Sequence, residues 1–149
     1  MPIRAVLAAA LLLFAAPAAA QELQPLAEWT KGPEAKTKPE YLYTRCAALY
    51  LAVIKYDGVA YAQPELEHMK KTAVAFASAA AKQRSERAGG KPETYIGPIA
   101  GEVEAMADQY GGRLVAARKG AAGHALDADP ALTQDDGICR QAAGTPKKS

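Results

Sequence analysis

Residues 39–58, PEYLYTRCAALYLAVIKYDG, decide the fold class. Leu42, Cys46, Leu49, Val53 and Tyr56 recur at helical spacing, and Tyr43, Ala47, Tyr50 and Ile54 form a second stripe beside the first. At about 3.6 residues per turn the two stripes cover more than half the circumference. Pro39 suits a first helical turn, Glu40 favours the positive helix end, and Asp57-Gly58 supplies a glycine stop. Thr44, Arg45 and Lys55 are the polar remainder, with Tyr41, Ala48 and Ala52 on the same side. A helix this broadly apolar sits centrally among neighbours or faces a partner subunit.

The same punctuation marks the helices that follow. A second helix opens at Pro64-Glu65, runs to about Arg87 and ends at Gly89-Gly90, with Leu66, Met69, Ala73, Phe76, Ala77 and Ala80 on its apolar face. Alanine is the best helix former and lets helices approach closely. A third helix begins at Pro92-Glu93. Gly97-Pro98 is expected to kink or restart it, because proline removes a helical hydrogen bond. From Ile99 onward Val103, Met106, Tyr110, Leu114 and Ala117 follow one face, weakened at Gly111-Gly112 and closed by Gly120 or Gly123. A last helix fits Asp129-Pro130, an N-cap followed by a first-turn proline, and carries Leu132, Ile138, Cys139 and Ala142. No stretch alternates in the manner of a strand. The expectation is an all-α domain, a small bundle of about four helices.

Upstream of this domain, residues 1–20 read as a cleavable secretory signal: Arg4, an apolar run over 5–16, Pro17 and a small-residue site at Ala18-Ala19-Ala20. The run is shorter than the roughly 20 apolar residues a membrane span needs. No cysteine follows it to take a lipid anchor. Residues 21–38 are a mostly irregular lead-in in which Leu23, Leu26 and Trp29 can dock on the domain at 39–143, and 144–149 are a flexible tail. The alanine-rich leader is of the bacterial kind, so the expected location is the periplasm or the medium.

Export explains the cysteines. Cys46 and Cys139 both survive cleavage, and in an oxidising compartment a lone pair is most simply one disulfide. Here it would join the first and last helices of the bundle. No C-x-x-C pattern supports a redox-active pair. Cleavage removes only Arg4 among the charged residues, leaving the mature chain nearly neutral. Mixed signs close to neutrality give no electrostatic footprint for nucleic acid.

The search for chemistry returns little. Ser78, Ser85 and Ser149 lie in no nucleophile elbow. Glu65 and His68 form a single Glu-x-x-His, whereas carboxylate-bridged metal bundles need two such motifs and further glutamates. The acids near Asp127 and Asp135 fail the calcium-loop spacing. Cys139 lacks the second cysteine and the histidine of covalent haem attachment, and Met69 and Met106 sit at core spacing. Neither a metal nor a cofactor is expected. Five of the seven tyrosines fall in or just after the first helix. Tyrosine joins an apolar ring to a polar tip, so Tyr43, Tyr50, Ile54, Tyr56 and Tyr61 are the candidate interaction surface.

The functional reading is a non-enzymatic exported protein that binds another protein, of the inhibitor, immunity or envelope-accessory type. The expected partner is another periplasmic protein or a second copy through the first helix, not nucleic acid and, after cleavage, not membrane. The alternative is a periplasmic carrier with a small-ligand or cofactor cavity inside the bundle. An enzyme using Glu102, Glu104 and Asp108 ranks below both, because Glu104 and Asp108 share a polar face by their spacing.

Overall fold

The computed structural model describes residues 23–144. The expected leader at 1–20 and the tail residues 145–149 lie outside this range. Among the described residues the chain is all-α: α1 (Leu26–Trp29), α2 (Glu34–Thr37), α3 (Glu40–Asp57), α4 (Gln63–Ala88), α5 (Pro92–Arg118), α6 (Ala125–Ala128) and α7 (Pro130–Ala142), with a 3-10 turn at Gly58–Ala60. There are thus seven helices where the pattern predicts about four. The long ones, α3, α4, α5 and α7, lie where proline and glycine mark them. The extra three are single turns of four residues each. So short a segment has no helical stability of its own in water and forms only where tertiary contacts hold it.

The centre of the fold is α3. It packs against both α4 and α5, which also pack against each other, and against α7. Of the polar remainder of α3 only Lys55 is exposed. Thr44, Ala48 and Ala52 are fully buried and Arg45 is 1 % exposed. The lead-in is likewise drawn inward: Leu26 is fully buried and Trp29 packs its ring on Tyr41 at 4.7 Å. The disulfide Cys46–Cys139 forms inside this core, links α3 to α7 across 93 residues, and has both cysteines fully buried.

Charged pairs also join the helices. Arg84 on α4 binds Glu102 on α5 through two nitrogens at 2.6 and 2.8 Å. Arg87 near the end of α4 reaches Glu40 at the start of α3, its Nε donating at 3.1 Å. At the start of α7, Asp129 accepts the amides of Ala131 and Leu132 at 2.8 and 3.1 Å and also holds Arg113 of α5. Gly89 and Gly90 end α4 with φ of 84° and 91°, a region that costs side-chain-bearing residues.

Pro98 does not break α5, which is continuous through it. Pro98 and Thr94, whose carbonyl would have accepted the missing N–H, both lie on the exposed side. The lost bond is therefore not a buried defect.

At Gly111 the Tyr56 side chain of α3 lies against the backbone of α5. A Cβ there would lie 2.5 Å from Cδ2 and 2.7 Å from Cζ of Tyr56. At Gly101 the same atom meets nothing. Gly101→Ala is expected to stabilise the protein by about 0.5–1 kcal/mol, the ordinary helical gain. Gly111→Ala is expected to destabilise it by about 1–2 kcal/mol, because overpacking costs about 1–3 kcal/mol and outweighs that gain. Urea unfolding of the two variants checks the opposite signs.

Candidate functional site

The helices converge on one buried ion pair. Arg45 of α3 extends its guanidinium from a position surrounded by apolar residues and donates from Nη2 to Asp135 Oδ2 of α7 at 2.8 Å. Its Nε donates to the Tyr110 hydroxyl of α5 at 2.8 Å, and its Nη1 donates to the Gln24 carbonyl at 2.9 Å and the Tyr41 hydroxyl at 3.2 Å. Tyr110 in turn donates to Asp135 Oδ2 at 2.6 Å, while Asp135 Oδ1 accepts the Leu26 amide at 3.0 Å. Burial works against the charge on Arg45, and the neighbouring tyrosines outweigh it, so its pKa is raised. Burial, with Asp135 beside it, pushes the Tyr110 hydroxyl up. A group closed off this thoroughly has no room for substrate; it fixes helices.

Two smaller polar clusters flank it. Asp136 accepts Tyr50 Oη at 3.1 Å and Arg140 Nε at 2.6 Å. Asp57, fully buried at the end of α3, accepts the Ala125 amide at 3.0 Å and pairs with Arg118. Of the acids that fail the calcium spacing, Asp129, Asp135 and Asp136 serve as partners for arginines and tyrosines.

The candidate tyrosine surface does not assemble as one face. Tyr50 is buried, stacked on Phe76 at 6.1 Å. Tyr43 is half-buried against the same ring. Tyr61 stacks on His124 at 4.1 Å, and burial with the nearby Asp127 and Asp136 carboxylates pushes its hydroxyl to about 12. Ile54 and Tyr56 remain together. With Lys55, Gly58, Val59, Gln63 and Leu66 they line an open groove at the turn between α3 and α4. Val59 stands at this tip 99 % exposed, and Tyr56 is 36 % exposed. Beside the groove, Lys55 binds Glu104 and Asp108 at 3.2 and 2.9 Å, and Tyr56 donates to Asp108 at 2.6 Å. The Tyr56 and Lys55 hydrogen bonds hold the Asp108 carboxyl below its ordinary pKa. Glu104 and Asp108 therefore sit in an ion-pair rim around Lys55.

His68 is exposed, and Glu65 spends its carboxylate on the Ala62 amide at 3.0 Å. Among the described residues no group of three His, Cys, Asp or Glu side chains is placed to hold a metal, and no helix is long and apolar enough to cross a membrane. A second open depression lies between α5 and the start of α7, lined by Arg113, Ala116, Ala117 and residues 128–131.

The ionic tie at Glu40 gives a pH dependence. Burial raises the carboxyl pKa, but the Arg87 hydrogen bond and the charges of Arg87 and Arg84 outweigh it, so the folded pKa lies below its ordinary 4.5. A depressed acid stabilises the fold above its unfolded pKa and loses that contribution as pH falls through the folded one. Stability contributed by Glu40 is thus complete above about pH 4.5 and lost below it. Glu40→Gln is expected to be less stable than the parent at pH 7, with the gap closing towards pH 3, as read by urea midpoints.

Sequence reasoning missed Arg45, Asp135, Tyr110 and Asp57. One signal was available: Arg45 is the neighbour of Cys46, and Asp135 lies one helical turn before Cys139. A disulfide between those cysteines brings the opposite charges together. No protein-family model, curated protein or solved structure matches the chain.

Proposed function

We propose that this chain is a non-enzymatic protein that works outside the cytoplasm after loss of residues 1–20 and binds another protein through the tip between α3 and α4. The observation that carries this reading is Val59, a valine 99 % exposed on an ordered turn above a groove lined by Ile54, Tyr56 and Leu66. Apolar surface beside a polar rim is the usual composition of a protein contact. The rim here carries two carboxylates, Glu104 and Asp108, for the single Lys55. Their side chains are 58 % and 60 % exposed, which favours a partner segment with an apolar side chain next to a lysine or arginine. The leader and the disulfide support an oxidising, extracytoplasmic location.

A photo-crosslinking residue placed at Val59 in the full chain tests this in its native cells. A discrete adduct with one different protein is expected from position 59 and from Gln63, and none from Ser78 on the outer side of α4. The Gln63 adduct should vanish with Val59→Asp. Adducts with a second copy of the chain alone, or none at all, would overturn the reading.

A further inference from the structure

The ion pair at Arg45 and Asp135 does more than join α3 to α7. Asp135 Oδ1 is the acceptor of the Leu26 amide, and Arg45 Nη1 holds the Gln24 carbonyl. The N-terminal segment, residues 24–29, is thereby fastened to a residue of the C-terminal helix, and α1 packs on α7. On its other side α7 is fastened to α3 by Tyr50 and Asp136 and, covalently, by Cys46–Cys139. By contrast α3, α4 and α5 pack extensively on one another without help from α7. The Arg84 and Glu102 pair and the Arg87 and Glu40 pair join them independently of it.

We propose that α7 and residues 24–29 form one cooperative cover, locked on the α3–α4–α5 core by the disulfide and released from it by reduction. The reductant is an external dithiol. It gives two electrons and two protons to the Cys46–Cys139 bond, leaves two thiols and becomes a disulfide itself. Both cysteines are fully buried, so attack follows a local opening of α7 and does not occur on the closed surface. Once α7 lifts, Leu26 loses its acceptor and Arg45 its counter-ion. The N-terminal segment therefore leaves with α7, and the Arg45, Cys46 and Tyr50 side of α3 opens to solvent. The inference is independent of the tip contact, which lies at the other end of α3.

Hydrogen exchange by mass spectrometry on the full chain, with and without dithiothreitol, tests it. Reduction is expected to speed exchange in residues 24–30 and 130–142 together by about tenfold or more, while 63–88 and 92–118 change by less than about twofold. In the oxidised protein the double variant Arg45→Met with Asp135→Leu, which removes the acceptor of the Leu26 amide and the donor to the Gln24 carbonyl, should speed exchange at 24–30 while the disulfide keeps 130–142 attached. Equal loss of protection in all helices would make the disulfide a global staple and overturn the proposal. Release of 130–142 alone, no change on reduction, or no effect of the Arg45→Met with Asp135→Leu variant at 24–30 would also overturn it.

Discussion

Arg45→Ala is expected to cost about 3–5 kcal/mol of unfolding free energy, because it strands Asp135 as an unpaired buried carboxylate. Both side chains are nearly inaccessible, 1 % and 5 % exposed. The substitution also frees the Gln24 carbonyl and the Tyr41 and Tyr110 hydroxyls from their shared donor. The double variant Arg45→Met with Asp135→Leu separates charge from hydrogen bonding. Exchanging a buried ion pair for apolar side chains is often neutral or stabilising. Here the exchange leaves the Leu26 amide without an acceptor, and an unsatisfied buried group costs about 1–3 kcal/mol. The double variant should therefore recover part of the loss and not all of it. Trp29, the single tryptophan, packs at a tilt against Tyr41 beside this network and gives the fluorescence signal for urea unfolding. A loss below about 1 kcal/mol for Arg45→Ala would place the pair among ordinary surface ion pairs and rule out a stranded charge as its main effect.

The second large effect is expected at Asp57. Asp57→Ala should cost about 2–3 kcal/mol, since the Ala125 amide loses its acceptor inside the fold. Arg118, the ionic partner, is about one-third exposed and can turn to water, so its release adds little. Asp57→Asn keeps an oxygen for the Ala125 amide and should cost about half as much. Equilibrium urea unfolding of the two variants decides the order. An Asn variant as unstable as the Ala variant would mean that the charge on Asp57, and not its cap on the start of α6, holds residues 119–125 in place.

Much of the fold was legible along the chain, and the reason is local. Pro39 and Gly58, Pro64 and Gly89, and Asp129-Pro130 act through backbone geometry alone, so the bounds of α3 and α4 and the start of α7 follow from neighbouring residues. The disulfide needed only the expected compartment and the count of cysteines. The failures are all non-local. Arg45 reads as polar wherever its partner is unseen, and that partner lies 90 residues away. The single turns α1, α2 and α6 carry no periodicity and exist only on the surface that holds them. Pro98 was expected to kink or restart α5, and the helix runs through it without a restart; the pattern does not say which side of the helix faces water. Tyr43, Tyr50 and Tyr61 share a residue type with Tyr56 but not its exposure. Val59 escaped notice because a 3-10 turn belongs to no stripe.

The position of Arg45 next to Cys46, and of Asp135 one turn before Cys139, also bears on how this sequence drifts. Neither member of either pair can change alone without leaving a free thiol or a stranded charge in the core. Substitutions at 45 and 135 should travel together through descent, as should those at 46 and 139. The outer faces of α4 and α5, where Ala75, Ser78, Gly101 and Gly112 are exposed, carry no such tie. Relatives are then expected to keep an Arg-Cys pair and a later Asp-x-x-x-Cys spacing long after the rest of the chain has diverged.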